Sequence, residues 1–256
     1  MDLVAVRGGQ ASGLSNRRRF SRNAPLVTVV IPTLNEEKNL PSVLARLPRS
    51  LHELIIVDGR SDDDTVATAI RHWPDVVIVQ QELAGKGDAL AMGFAVATGE
   101  IVVALDGDGS TDPAEIPRFV NALVAGADMV KGSRFLEGGG SDDLTRIRRF
   151  GARGLTGLVN LLFRTDYTDL CYGYTAFWRD SLAGVATGIG FEVETSMIIS
   201  AARAGLVVAE VPSFERARVH GASNLRAVRD GLRILGVIVG ARMQRQPRLE
   251  PAMARA

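Results

Sequence analysis

Asp106-Gly107-Asp108 closes an apolar run from Ile101 to Leu105. Two carboxylates at positions i and i+2 can share one divalent cation or hold a cation-bound diphosphate, and without a cation they repel. The same tripeptide also suits a strand-ending turn with two helix-capping acids, because Asp-Gly pairs form turns readily. Polar groups recur at comparable places. Pro32-Thr33-Leu34-Asn35-Glu36-Glu37 follows one β-branched run, Asp58-Gly59-Arg60-Ser61 follows the next, and Gly85-Lys86-Gly87 precedes an amphipathic stretch. Glycines there let backbone amides approach a phosphate and Lys86 adds a point charge, although this is neither a Walker loop nor a GxGxxG fingerprint.

The elements that must carry these groups alternate. From Pro25 onward, short β-branched runs alternate with longer amphipathic stretches, the pattern of βαβ units and an α/β fold with a mostly parallel sheet. Strands are predicted at Leu26–Ile31, stopped by Pro32, and at Leu54–Val57, Val76–Gln80, Ile101–Leu105, Asp128–Lys131 and Leu206–Val211. Helices are predicted from an Asn35 cap through Leu47, and at Thr65–His72, Asp88–Ala97, Pro117–Ala125, Ile147–Phe163, Glu192–Ala204 and Leu225–Met243. Glu137–Asp143, with Gly138-Gly139-Gly140, is expected to be a mobile loop, and 169–173 an irregular stretch. Ligands of an open α/β sheet bind beyond the carboxyl ends of its strands, so polar groups at several successive ends describe a nucleotide site.

At 256 residues, with 46% hydrophobic and 23% charged residues, the chain can bury a sizeable core without a disulfide, and its one cysteine, Cys171, excludes an intrachain bridge. The net charge of +1 hides an asymmetry: residues 1–24 sum to +4 and 216–256 to +7, leaving −10 on the body between them. An acidic body with basic ends argues against a nucleic-acid reader and suits a protein that holds a divalent cation and meets an anionic surface. No run of 18 uncharged apolar residues exists, and the first 24 residues are expected to be a disordered basic tail and not a signal peptide. His52, His72 and His220 are scattered, without the spacing of a zinc protease or a Ser/His/Asp hydrolase.

Taken together, VVIPTLNEEKNL at 29–40, IIVDGRSDDDT at 55–65, GKGDALAMGFAVATGEIVVALDGDGSTDPAEIP at 85–117, KGSRFLEGGG at 131–140, GFEVET at 190–195 and EVPSFERARVHGASNL at 210–225 resemble family 2 glycosyltransferases. They are most similar to the polyprenyl-phosphate, dolichol-phosphate mannose synthase-like branch. The resemblance implies a GT-A fold, a mostly parallel central sheet flanked by helices, over residues 25–224. It also implies a nucleoside diphosphate sugar donor, Mg2+ or Mn2+ as cofactor, and inversion at the anomeric carbon. By the same match Pro32, Leu34 and Glu36 lie along the nucleotide, Asp58 lies near the base and ribose, and Lys86 and Gly107 line the donor. Leu34 stands where the family usually has Tyr, and Gly59 where it has a second acid.

Asp106 and Asp108 match the family's metal-binding DxD motif, Arg134 an arginine near the acceptor phosphate, and Arg218 the element that closes over the donor phosphates. Arg149 is a candidate for a second acceptor contact, since bidentate guanidinium–phosphate pairing suits that task. Glu194 matches a run near sugar or acceptor. A hydroxyl acceptor needs a general base such as Glu194, or Glu192, whereas an ionised phosphate acceptor does not. A (Q/R)xxRW element is absent, which argues against polymer synthesis, and PTLNEE is not the Gly-rich, Arg-containing loop of a sugar nucleotidyltransferase.

These features predict transfer of one sugar to a polyprenyl phosphate at the cytoplasmic face of a membrane. The alternative is a soluble hydroxyl acceptor, such as a natural product or a small phosphorylated acid. From 225 to 256 the sequence predicts a basic amphipathic helix and tail. Leu225, Val228, Leu232, Leu235 and Val239 form its apolar stripe and Arg226, Arg229 and Arg233 a basic one, suited to a peripheral membrane surface or, alternatively, to packing on the catalytic domain or in a homodimer.

Overall fold

The computed structural model describes residues 24–184, 190, 192–221 and 227–243. Its centre is a seven-stranded sheet made of β1 (Val27–Thr33), β2 (Glu53–Asp58), β3 (Val77–Gln80), β4 (Ile101–Ala104), β5 (Met129–Ser133), β7 (Thr175–Trp178) and β8 (Val208–Pro212), in the order β3-β2-β1-β4-β7-β5-β8. All neighbours are parallel except those of β7, which runs antiparallel to both β4 and β5. A separate two-stranded ladder pairs β6 (Gly140–Ser141) with β9 (Phe214–Glu215). The central strands are continuous Val/Ile runs because both of their faces are covered.

On one face lie α1 (Leu40–Ala45), α2 (Thr65–His72) and α4 (Ile116–Val124), which bury Leu44, Ala69 and Phe119 against Val29, Ile56 and Val103. On the other lie α3 (Lys86–Val96), α5 (Arg146–Phe163), α6 (Val193–Arg203) and α7 (Ala227–Met243), which bury Phe94, Val159, Met197 and Ile238 against Val30, Ile55 and Phe177. This is the GT-A type of α/β architecture expected from the sequence.

Four local expectations change. Pro32 does not stop β1, which runs to Thr33. The Val30 carbonyl faces β4, accepting from Leu105 N at 3.3 Å, so Pro32, two residues on, also faces that side, where β4 has already ended. A missing N–H therefore costs no ladder bond. Asn35 caps no helix: its φ is +58° and its Oδ1 accepts from Asp62 N at 2.8 Å, tying the β1 loop to the β2 loop. The expected mobile loop at 137–143 instead contains β6, and the antiparallel β7 has no counterpart in the sequence prediction.

The fourth change concerns α7, which packs on α5 and α6 through Ile234, Val237, Ile238 and Ala241. The stripe expected to meet a membrane surface or, alternatively, to pack on the domain points outward, with Leu232 64% and Val239 45% exposed, so the packing is made by other residues. Leu225 and Arg226 of the expected stripes lie outside the described residues, as do the 1–24 tail apart from Ala24 and the tail from 244 onward. No helix among the described residues is long and apolar enough to cross a membrane.

Candidate functional site

The carboxyl ends of β1, β2 and β4 meet the N-termini of α3 and α6 in one cleft. Asp106 lies two residues past the end of β4. Lys86 opens α3 after Gly85, whose φ of +124° is a backbone state that side-chain-bearing residues rarely adopt. Its ammonium lies 2.5 Å from Asp106 Oδ1 and 2.7 Å from Glu194 Oε1, the latter in the first turn of α6. Gly173, just before β7, closes over this triad: a Cβ there would stand 2.8 Å from Lys86 Nζ and 3.1 Å from Asp106 Oδ2.

Asp108 receives the guanidinium of Arg218, with Nη2 at 3.0 Å and Nε at 3.2 Å, and Arg218 Nη1 also lies 3.5 Å from Glu36 Oε1. Asn39, which sequence reasoning passed over, holds the three parts together. Its amide donates to Glu36 Oε2 at 2.6 Å and to the His220 carbonyl at 3.2 Å, while its Oδ1 accepts from His220 N at 3.0 Å. Its only signal was its place three residues after Glu36, because the His220 partner is 181 residues away.

Electrostatics distinguish the two acids of the pair. Burial raises the Asp106 carboxyl above the ordinary carboxylate range, with Lys86 opposing and Asp108 and Glu194 adding to the rise. Burial acts on Asp108 in the same sense, but bonds from Ser110 and the Arg218 charge outweigh it and leave Asp108 lowered. Burial pulls the Lys86 ammonium down, yet Asp106 and Glu194 hold it well above its usual value. Glu36 is raised by burial, against its Asn39 bond and Arg218. Among the described residues, Glu36, Asp106, Asp108 and Glu194 thus pair with Lys86 and Arg218 alone, a formal excess of two negative charges.

The remaining residues singled out in the sequence take these places. Pro32 lies in β1, and Leu34, 52% exposed, lies on the loop that follows. Gly107 packs under the end of β1, where a Cβ would stand 3.0 Å from Thr33 Cγ2. Asp58 ends β2 and is engaged by Ser61 Oγ at 2.6 Å and Gln80 Nε2 at 3.1 Å. Arg149 is exposed on α5, away from the carboxylate cluster's hydrogen bonds.

Arg134 is not displayed to the cleft as an open phosphate ligand. Its side chain is 3% exposed and pairs with Asp169 through Nε at 2.7 Å and Nη2 at 3.0 Å, and with Glu215 through Nη1 at 3.0 Å. Its guanidinium also lies 5.1 Å from the Tyr172 ring centroid. Burial would raise the Asp169 carboxyl, but Lys131 and Arg134 overcome it and hold Asp169 below the usual range. No local pattern announces Asp169, which lies 35 residues from Arg134.

Residues 28–185 match the family described as Glycosyl transferase family 2. A glycosyltransferase of Mycobacterium tuberculosis is 44% identical over 108 residues, 42% of this chain and 48% of that protein, so the chain spans about half the length of the curated relatives it matches first. The dolichol-phosphate mannosyltransferase of Pyrococcus furiosus is 30% identical over 210 residues, 78% of this chain and 59% of that protein. Among solved structures, glucosyl-3-phosphoglycerate synthase of M. tuberculosis, with Mn2+, uridine diphosphate and glucosyl-3-phosphoglycerate, has a TM-score of 0.69 and 26% identity over 85% of this chain and 80% of its own.

That structural likeness corrects the expected branch. The synthase carries a small phosphorylated acid where a polyprenyl phosphate was expected, and it recurs among the similar structures with phosphoglyceric acid and with UDP-glucose. The Arg134 ion pairs bear on the expected acceptor ligand and not on the branch, since a guanidinium already satisfied by two carboxylates offers little to any phosphate. With the lipid acceptor goes the ground for expecting a membrane surface as partner. What both the motif order and the match sustain is the family: the chain belongs to glycosyl transferase family 2.

Proposed function

We propose that this chain is a divalent-metal-dependent glycosyltransferase. It moves a sugar from a nucleoside diphosphate sugar to a hydroxyl of a small soluble acceptor of the phosphorylated-acid class. The observation that carries the reading is the excess of two negative charges where Glu36, Asp106, Asp108 and Glu194 meet Lys86 and Arg218. A diphosphate brought alone into that cleft would be repelled. At 4 Å and an effective dielectric of about 20, each like-charge pair costs about 4 kcal/mol before screening. One divalent cation cancels the excess, and the donor set is all carboxylate oxygen, which suits Mg2+ or Mn2+.

Asp106 and Asp108 would hold that ion, whose chemistry there is to act as a Lewis acid on the leaving diphosphate. Arg218 and Lys86 would stand beside the phosphates as hydrogen-bond donors. Glu194, oriented by its 2.7 Å contact with Lys86, takes the proton of the acceptor hydroxyl. The similar synthase, with Mn2+, uridine diphosphate and a phosphoglycerate product, supports both the metal and the acceptor class. We further assign the catalytic unit to residues 25–224, with α7 as an appended helix.

A transfer assay tests this reading. UDP-, GDP- and dTDP-sugars are supplied with Mn2+ or Mg2+ and offered 3-phosphoglycerate, related hydroxy acids or a short-chain polyprenyl phosphate. Metal-dependent formation of a water-soluble glycoside is expected. Transfer confined to the polyprenyl phosphate would contradict it.

A further inference from the structure

We infer that Glu115, acting through Ser213, is a positioning residue that sets Arg218 over Asp108 and so governs donor affinity from outside the donor site. The inference rests on the donor reading above. Residues 212–218 form an arm that leaves β8, passes through the two-residue β9 and delivers Arg218. Every backbone or side-chain bond that fixes the arm to the metal-binding segment falls between 108 and 118. Arg118 donates to the Pro212 carbonyl, Phe214 N to Glu115 Oε1 at 3.4 Å, and Arg216 N to the Ser110 carbonyl at 2.8 Å.

Beside these, the Ser213–Glu115 bond joins two side chains and is part-buried. Ser213 is 0% exposed, and its hydroxyl donates to Glu115 Oε2. Having spent its single proton there, Ser213 Oγ can only accept from Tyr172 Oη, 3.2 Å away. Tyr172 is the ring on which Arg134 rests. The chain Tyr172–Ser213–Glu115 therefore ties the buried Arg134 network to the segment after β4, and the start of the arm is pinned between them. The Arg216–Asp112 bridge further along is a poor substitute: the Arg216 side chain is 58% exposed, and such pairs contribute little. With the Ser213 latch gone, the arm keeps its backbone bond from Arg216 N to Ser110 and the Asn39 clamp on His220, but its start is no longer tied to Glu115, and Arg218 is held over Asp108 less firmly.

A double-mutant cycle read by calorimetric binding of uridine diphosphate with Mn2+ tests the inference. Ser213→Ala is expected to weaken binding about fivefold in the wild-type background and by less than about twofold when Arg218→Ala is already present. If Ser213→Ala lowers the melting temperature, Glu115→Gln, which keeps the side-chain volume, takes its place in the cycle and must show the same non-additivity. Equal losses in both backgrounds would mean a general loosening and would overturn the inference. Absence of uridine diphosphate binding by the wild type with Mn2+ would overturn the donor reading on which it rests.

Discussion

Two charged clusters stand at the carboxyl end of the sheet, and they differ in how far their acids are engaged by the protein itself. Around Asp106 and Asp108, among the described residues, four carboxylates share two cations and two negative charges go unanswered. Around Arg134, the guanidinium is held bidentately by the fully buried Asp169 and again by Glu215, and Lys131 adds a second cation. There the guanidinium donates to both acids, and a third, Glu210, is engaged by the backbone amides of Thr168 and Asp169. The first cluster is built to be completed by a ligand; the second is complete already and acts as a strut for the loops around it. Sequence motifs do not draw this distinction, because Arg134 and Arg218 look equally available until their partners are known.

Substitution separates the two. Asp108→Asn should abolish metal-dependent transfer, a loss of about 10²-fold or more, since a Lewis-acid metal supplies several kcal/mol of transition-state stabilisation. Thermal melting should show the fold intact. Unchanged turnover would remove Asp108 from the metal assignment. Glu194→Gln should lower kcat by about 10²-fold, at the modest end of general-base effects, with binding of uridine diphosphate retained. Full activity in that variant would mean that the acceptor needs no base there.

The strut should fail differently. Arg134→Met leaves Asp169 buried without its partner, a loss of about 3–5 kcal/mol. For a chain of this size that corresponds to a fall in melting temperature of roughly 6–20 °C. A melt like wild type, with lost acceptor affinity, would return Arg134 to the substrate. Because the Asp169 carboxyl is depressed in the folded state, its stabilisation is present above the unfolded value near pH 4 and lost as pH falls through the lower folded one. The stability gap between wild type and Asp169→Asn should therefore hold from neutral pH to about pH 5 and narrow below about pH 4 in denaturant titrations. Arg149→Ala, on the exposed face of α5, should change stability by no more than about 0.5 kcal/mol and leave turnover alone.

What was legible in the sequence is what is local. The helix Thr65–His72 matches its prediction residue for residue, and the buried strands β1, β2 and β4 declare themselves as Val/Ile runs. Asp106 and Asp108 were readable because their cleft position follows from the end of one strand. Legibility fails where contacts are long-range or periodicity is ambiguous. The four residues of β7 give no alternation to read, since both of its faces are buried, Ala176 and Trp178 in one core cluster and Phe177 in the other. The partners of Arg134 lie 35 and 81 residues away. On α7 two apolar stripes run side by side, and only packing against α5 and α6 decides that Ile234, Val237 and Ile238 face inward while Leu232 and Val239 face out.

The charge imbalance at the first cluster is the claim on which the rest depends, and calorimetry tests it most directly. Uridine diphosphate is titrated into the protein in EDTA and then in saturating Mn2+. The account predicts binding at least about 100-fold tighter with the metal, the equivalent of about 2.7 kcal/mol. Equal affinity in EDTA and in Mn2+ would show that the cleft accepts a diphosphate without a cation, and would contradict it.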